Sequence, residues 1–234
     1  MGDFGNAFAA AVGLIAHLDA NLVGIVALSL QVSMSAVVIA TVAGLPLGAA
    51  VALSRFAGRR GAIVALNALM GLPPVVVGLV VYLLLSRAGP LGPLGLLFTP
   101  GAMVIAQAVL ITPIIAALAR QIVEDAWTEY QEQLRSLGAP PRRALWTLIW
   151  DTRFSLVTVV LAGLGRAMAE VGAVIIVGGN IEGVTRVMTT TIALETSKGD
   201  LPLALGLGII LMALVLAANA ATDAIRGAAQ KRYG

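Results

Sequence analysis

Cysteine is absent from this chain, and histidine occurs once, at position 17. Without cysteine, no disulfide, thiolate metal site or cysteine nucleophile can form. With a single histidine and only one clear acid, Glu170, in the middle of an apolar run, the sequence offers no convincing catalytic constellation. We therefore expect no catalytic residue, no metal site and no enzymatic activity in this chain.

Charged residues are scarce as well: they make up 12% of the 234 residues, whereas hydrophobic residues make up 59%. Soluble proteins average about 25% charged and about 45–50% apolar residues. The apolar residues gather into five runs that meet the length of about 20 helical residues needed to cross a bilayer core. These predicted spans are 22–53, which Pro46 could kink, 61–85, 101–123, 154–178 and 202–225. The sequence thus predicts an all-α integral membrane protein with about five transmembrane helices.

The basic residues indicate an orientation, because cytoplasmic loops carry the excess of Lys and Arg. Eleven basic residues fall on one side of the five spans: Arg55, Arg59, Arg60, Arg120, Arg135, Arg142, Arg143, Arg153, Arg226, Lys231 and Arg232. Only Arg87, Arg186 and Lys198 fall on the other side. This partition predicts a cytoplasmic C-terminus and an extracytoplasmic N-terminus.

Three regions follow from this topology: an N-terminal segment (1–21), a membrane domain (22–226) and a cytoplasmic tail (227–234). In the N-terminal segment, apolar residues recur at helical spacing at positions 4, 8, 11, 12 and 15. This pattern is typical of a helix lying on the membrane surface. A disordered terminus is the alternative interpretation.

Residues 124–150 form the one long polar interruption, on the predicted cytoplasmic side. Acids at its start, Arg135 near the end of its first half and Gly138 after it predict a helix that stops at a left-handed glycine. Pro141 can then begin a second helix at its first position. We interpret the stretch as a pair of coupling helices that dock on a partner, with a solvated loop as the alternative. The candidate partner contacts are Glu129, Glu132, Arg135, Gly138 and Arg142.

The same stretch resembles the cytoplasmic signature of ABC importer permease subunits: Glu-Ala-Ala, three residues, Gly, nine residues, Ile, one residue, Leu-Pro. Glu132 and Gly138 occupy the Glu and Gly positions. Gln-Leu at 133–134 stands in place of the two alanines, Leu148 in place of Ile, and Trp-Asp at 150–151 in place of Leu-Pro.

Three further segments resemble the tungstate-type branch of the molybdate, sulfate and tungstate permeases. They are Gly165-Arg-Ala-Met-Ala-Glu-Val-Gly-Ala-Val, Val177-Gly-Gly-Asn-Ile181 and Arg186-Val-Met-Thr-Thr-Thr-Ile-Ala-Leu-Glu-Thr-Ser-Lys-Gly-Asp200. The resemblance implies a type I ABC importer fold in the cytoplasmic (inner) membrane. It also implies a homodimer that works with two ATPase subunits and an extracytoplasmic oxyanion-binding protein.

ATP and Mg²⁺ are expected on the partner ATPase, and no cofactor or nucleic acid is expected on this chain. No Gly-x-x-x-x-Gly-Lys-Ser/Thr loop is present, and neither lysine, Lys198 or Lys231, is followed by Ser or Thr. If ATP drives transport, its hydrolysis must take place on another polypeptide.

Arg166 and Glu170 are charged residues within the fourth predicted span. Such charges are costly in a bilayer and usually face the bundle interior or a wet cavity. They could form a structural ion pair, or Arg166 could belong to an anion pathway or gate in which Glu170 tempers its charge. The hydroxyls of Thr189, Thr190 and Thr191 could donate to an oxyanion, or could be ordinary loop groups.

The leading hypothesis is a permease subunit that takes part in ATP-driven import of tungstate, or else molybdate or another tetrahedral dianion. A secondary anion transporter or channel that is not driven by ATP is the alternative. The sequence shows no obvious repeat of short broken helices, which is the usual indication of a secondary transporter.

Overall fold

All regular secondary structure in the described part of the chain is helical. The computed structural model describes residues 2–54, 56–138 and 140–233, except for the side chains of 2–4, 141–142, 226 and 228–233. The helices are α1 (Gly2–Ala16), α2 (Ala20–Leu53), α3 (Arg59–Met70), α4 (Pro74–Leu85), a short 3-10 helix (Gly92–Leu94), α5 (Pro100–Ser136), α6 (Pro141–Asp151), α7 (Arg153–Met168), α8 (Gly172–Gly178), α9 (Met188–Lys198) and α10 (Leu201–Tyr233). The prediction of an all-α fold is confirmed.

Three helices are long and apolar enough to cross a membrane: α2, α5 and the 201–225 part of α10. Two pairs of helices, α3 with α4 and α6 with α7, meet the same criterion if each pair is one span bent at a short break. The described residues therefore hold three to five candidate spans, consistent with the predicted number of about five. The predicted orientation of the termini stays a prediction.

Helix α5 is much longer than the third predicted span, which was expected to end at residue 123. Its 37 residues correspond to about 55 Å of helix, whereas the hydrocarbon core is about 30 Å thick. The charges at 124–125 end the apolar run but not the helix, because Glu, Gln, Leu and Arg are all good helix formers. The end of the third span and the first coupling helix are therefore one continuous element.

The predicted spans 61–85 and 154–178 each consist of two helices in the structure. In the first, α3 ends at Met70 and Pro73 precedes α4, whose first residue is Pro74. Neither proline has an N–H to continue a helical ladder. In the second, residues 169–171 separate α7 from α8, so Glu170 lies just beyond the helix that carries Arg166.

One compact unit comprises residues 1–36, 73–107 and 165–217. A buried apolar cluster of Leu22, Ile25, Met188 and Leu207 forms part of its core, and Ile15 of α1 packs against it. The N-terminal segment is thus helical over most of its length, from Gly2 to Ala16, while its location on the membrane surface stays a prediction.

Within this unit α4 packs closely on α8. A Cβ atom added to Gly78 would lie 2.8 Å from the Cα of Ala173, which is closer than any ordinary carbon contact. The small residue lets the two backbones approach, as is common between helices in membranes.

A second compact unit comprises residues 37–72, 108–164 and 218–234. Here α2 lies against α5, as Gly48 shows: a Cβ atom added to it would clash with the Ala116 carbonyl oxygen. A core cluster around Val123 and Leu148 also includes small residues of α2, namely Ala49 and Ala52. This second unit contains the coupling helices.

Candidate coupling surface and anion pathway

The turn between α5 and α6 has the predicted helix-stop-helix form. Gly138 adopts φ +64°, a left-handed conformation that disfavours residues with a Cβ atom. Its N–H donates to the Arg135 carbonyl at 3.0 Å, which closes the end of α5. Pro140 then takes an extended conformation, and Pro141 begins α6. The prediction drawn from Gly138 and Pro141 is confirmed.

Leu148 anchors α6 against α5. Its side chain is 1% exposed and packs in the cluster that contains Val123 and Ala126, with Leu145 and Ile149 half-buried beside it. This apolar face is the one expected from the sequence, and it leaves the opposite face of α6 free for other contacts.

The exposed face of α6 carries two tryptophans. Trp146 is 70% exposed and Trp150 is 71% exposed. Trp127 of α5 is by contrast half-buried, with the Arg135 guanidinium 5.7 Å from its ring centroid. The sequence analysis did not single out Trp146 and Trp150, although their spacing of four residues places both on one helix face.

A surface cavity of about 240 Å³ lies between α5 and α6. Its walls include Tyr130 and Gln133 of α5 and Thr147 and Asp151 of α6. We define the coupling surface as this cavity together with Trp146, Trp150 and the end of α5.

Glu129, Glu132 and Arg135 are all exposed on α5. Their side chains are thus available to a partner, as is the backbone around Gly138. The fifth predicted contact, the Arg142 side chain, lies outside the described residues. The role of these residues in partner binding stays a prediction.

An arginine that the sequence analysis used only for topology ties α5 to the helices before it. The Arg59 guanidinium donates to the carbonyls of Val51 (3.0 Å) and Ala52 (3.1 Å) and to Glu124 Oε1 (2.8 Å). Arg120 pairs with the other oxygen of Glu124. The Arg120–Glu124 pair has a spacing readable from the sequence, but the long-range contact of Arg59 is not.

Arg166 and Glu170 form the predicted ion pair in the other compact unit. Arg166 Nη1 donates to Glu170 Oε2 at 2.6 Å. The Glu170 side chain is 4% exposed, whereas that of Arg166 is 40% exposed. Glu170 Oε1 also accepts the N–H of Ala173 at 3.1 Å. The carboxylate thus serves both the arginine and the start of α8.

The three threonines at the start of α9 do different things. Thr189 donates to the backbone carbonyl of Glu170 at 2.8 Å. Thr190 and Thr191 are buried, and their hydroxyls donate to Asn180 Oδ1 and to the Val187 carbonyl, both at 2.8 Å. Because a hydroxyl has one hydrogen and each of these is already donated, Thr189, Thr190 and Thr191 have none to offer an anion in this conformation. Their place in an anion pathway stays a prediction.

A small polar cavity adjoins Glu170 and Thr189. Its volume is about 10 Å³, and Ser29, Ser33 and Gln107 also line it. Such a volume holds about one water molecule, so a tetrahedral oxyanion with five heavy atoms does not fit. Gln107 Nε2 donates to the Ala167 carbonyl at 3.1 Å, while its buried Oε1 has no partner among the described residues.

The sequence analysis did not identify Ser29, Ser33 or Gln107 as candidate site residues. Their signal was present: Ser29 and Ser33 are four positions apart in an apolar run, and Gln107 is an amide within another. No group of three or more His, Cys, Asp or Glu residues that could hold a metal ion occurs in the described part of the chain.

Comparison with known proteins gives the same class of protein as the resemblance found in the sequence. The family described as binding-protein-dependent transport system inner membrane component matches residues 44–234. The tungstate uptake system permease protein of Peptoclostridium acidaminophilum is 41% identical over 213 residues, which cover 91% of this chain and 93% of that protein.

Two other relatives show the range of the family. A probable anion ABC transporter permease protein of Haloferax volcanii is 39% identical over 218 residues, covering 91% of this chain and 94% of that protein. The molybdenum transport system permease protein of Azotobacter vinelandii is 29% identical over 178 residues, covering 70% of this chain and 76% of that protein. The chain therefore belongs to the family of binding-protein-dependent transport system inner membrane components.

Proposed function

We propose that this chain is the membrane-spanning permease subunit of an ATP-driven importer of tungstate or a chemically similar tetrahedral oxyanion such as molybdate. The observation that carries the proposal is the 41% identity to a tungstate uptake permease over 213 residues. Since 213 of 234 residues are matched, only 21 remain outside. The similarity therefore extends through both the coupling surface and the segment from Arg166 to Thr191.

The coupling surface is the proposed docking site for a separate ATPase subunit. Tryptophan is enriched among the residues that contribute most to protein interfaces, and Trp146 and Trp150 are both exposed on α6. The neighbouring cavity offers a concave surface, and the exposed charges of α5 can orient a partner. Two copies of the permease would bind two ATPase subunits, as the family implies.

Movement of the coupling surface would reach the rest of the second compact unit through rigid contacts. Because α5 is continuous, displacement of its exposed end also displaces Glu124, which is held by Arg59 and Arg120. Arg59 in turn holds the carbonyls at the end of α2. ATP binding and hydrolysis on the partner would thereby alternate the exposure of the anion pathway.

In the pathway, the positive charge of Arg166 is proposed to attract the oxyanion, and the negative charge of Glu170 limits how tightly Arg166 can bind that anion. A site that must release its cargo has to bind it weakly. An extracytoplasmic binding protein would deliver the anion to the permease, and the permease would release it to the cytoplasm. The complex would lie in the inner membrane of the cell.

The experiment that tests this function is reconstitution of the permease with its ATPase and binding protein in liposomes. We expect tungstate to stimulate ATP hydrolysis severalfold and to accumulate inside. If neither tungstate nor molybdate stimulates hydrolysis, the proposed substrate class is wrong. Uptake by the permease alone, driven only by an ion gradient, would instead favour a secondary transporter or channel.

The docking site has its own test in the two tryptophans. Trp146→Ala and Trp150→Ala should each weaken ATPase binding by about thirtyfold, since truncating an interface anchor costs about 2 kcal/mol. Phe8→Ala is the matched control, because Phe8 is an exposed aromatic (47%) on α1, far from the coupling surface in sequence. Unchanged ATPase binding in both tryptophan variants would contradict the assignment of this face.

A further inference from the structure

A second cavity in the first compact unit is large enough for a small ion. Its volume is about 290 Å³, close to the lower limit of about 300 Å³ for typical ligand pockets. The start of α2 provides one wall, including Asn21 and Gly24, and the loop before α9 provides the other, including Val184 and Arg186. Both walls lie on the predicted extracytoplasmic side.

Arg186 is the charged group of this cavity, and its guanidinium is only loosely paired with the acids around it. Its side chain is 13% exposed, yet it makes no hydrogen bond to any described residue, and its Nε is buried without a partner. The nearest acids approach only Nη1, with Glu182 at 3.4 Å and Glu195 at 4.0 Å. A guanidinium has five N–H donors, and leaving such donors unsatisfied in a buried position is costly.

The two acids differ in how firmly they are held. Glu195 is 7% exposed, and its Oε1 accepts from Lys198 Nζ at 3.0 Å, so its charge is already compensated. Glu182 is 72% exposed, and ion pairs with such an exposed partner contribute little. An incoming anion can therefore replace Glu182 at Arg186 without disturbing the buried pair.

The start of α2 contributes a polar group rather than a positive field. The N-terminus of this helix carries a partial charge of about +0.5. Asp19 cancels it, since its Oδ1 accepts the N–H of Leu22 at 3.0 Å and a carboxylate carries a full negative charge. The Asn21 amide lies at the same wall and can donate to an oxygen ligand.

From these contacts we infer that the cavity is a transient site for a tetrahedral oxyanion, in which the Arg186 guanidinium exchanges Glu182 for the oxygens of the anion. The inference rests on the proposed function and adds a site that precedes the closed region around Glu170. Carboxylates and tetrahedral oxyanions are interchangeable partners here, because both can accept two parallel N–H bonds from one guanidinium. The apolar remainder of the wall, which includes Ile25 and Leu28, strengthens these bonds by excluding water.

The absence of cysteine from the chain makes a direct test simple. Val184 lines the cavity and is 46% exposed, so Val184→Cys gives a single reporter thiol. The rate of its modification by a methanethiosulfonate reagent is measured on the permease–ATPase complex in phosphatidylcholine nanodiscs. We expect tungstate to slow the modification saturably at millimolar concentration, relative to sodium chloride of equal ionic strength.

Variants in the Val184→Cys background identify the group responsible. Arg186→Gln should raise the concentration for half-protection by at least about tenfold, because it removes a charged bidentate donor. Glu182→Gln should lower it by about two- to fivefold, since it removes a weak competitor. Arg87→Gln is the control, because Arg87 is an exposed arginine on the same predicted side, and it should leave protection unchanged. Should Arg186→Gln not fold, Arg186→Lys replaces it and should weaken protection severalfold.

The inference is overturned if tungstate gives no saturable protection, or if the Arg186 variants are protected as well as the parent. A second arm uses nanodiscs that contain phosphatidylglycerol. Protection by this lipid without tungstate, and none by tungstate in phosphatidylcholine, would assign the site to a lipid phosphate and would also overturn the inference. Tungstate uptake without protection would refute only this site, whereas protection without uptake would refute only the proposed function.

Discussion

Replacement of Glu170 by Gln separates the two roles of its carboxylate, which pairs with Arg166 and accepts the N–H of Ala173. A Gln side chain keeps an oxygen that can accept the Ala173 N–H, but it loses the charge that faces Arg166 at 2.6 Å. A hydrogen bond between charged groups contributes about 1.5–3 kcal/mol. Because Arg166 is 40% exposed, solvent screening reduces this contribution, and we expect a loss of about 1 kcal/mol.

Glu170→Ala also removes the acceptor for the Ala173 N–H. The N–H of Ala173 then loses its side-chain acceptor at the start of α8, and loss of such a cap costs about 1 kcal/mol. Removal of the buried carboxylate also leaves a void beside the existing cavity of about 10 Å³. We therefore expect Glu170→Ala to cost about 1–2 kcal/mol more than Glu170→Gln.

The losses of unfolding free energy in Glu170→Gln and Glu170→Ala can be measured by unfolding the permease with dodecyl sulfate in mixed micelles. Tryptophan fluorescence monitors the unfolding. A double-mutant cycle with Arg166→Met gives the coupling energy of the pair, which we expect to be about 1 kcal/mol. Coupling below about 0.3 kcal/mol, together with equal effects of Gln and Ala, would refute this reasoning. If Arg166 also acts in a gate, Arg166→Met should alter tungstate uptake by more than its small loss of stability explains.

Three further substitutions and one control, Gly61→Ala, test the fold around the proposed sites. Gly138→Val should reduce copurification of the ATPase while leaving membrane insertion intact, because a β-branched residue at φ +64° is strained by at least about 1–2 kcal/mol; normal copurification would count against a rigid turn. Leu148→Ala should lower the unfolding free energy by about 2–5 kcal/mol, since this side chain is 1% exposed; a loss below 1 kcal/mol would mean that α6 is not anchored there. Gly78→Ala should destabilise the protein, because the added Cβ would lie 2.8 Å from the Cα of Ala173. Gly61→Ala is the control: no atom lies within 4 Å of its added Cβ, so this change should stabilise α3 by about 0.5–1 kcal/mol. Equal effects of the two changes on thermal unfolding would contradict the close packing of α4 on α8.

The shape of the coupling hairpin could be predicted because its signals are local. Gly138 and Pro141 act on their own backbone, and the spacing of Leu145, Leu148 and Ile149 identifies a face without reference to any partner. The ion pair of Arg166 and Glu170 could be predicted for the same reason, since four residues separate its members.

Features that depend on distant partners could not be read in this way. Glu124 follows the third predicted span directly, and nothing in the sequence indicates that its carboxylate pairs with Arg59, 65 positions earlier. Trp127 and Trp146 are the same residue type in neighbouring helices, yet only Trp127 packs against the cluster that includes Ala49 and Ala52. Burial is set by the neighbours that the fold brings together, and the sequence names no such neighbours.

The break at residues 169–171 gives the charges of Arg166 and Glu170 a physical reason that the sequence alone did not supply. A break between two helices leaves backbone N–H groups without helical partners, and each is costly where it is buried away from water. Glu170 satisfies one of them at Ala173, and its carboxylate in turn requires a cation, which Arg166 provides. The same break positions α8 for its close approach to Gly78. A gate at Arg166 would therefore have to move together with the start of α8, and substitutions that alter transport at this pair should also alter the packing of α8 on α4.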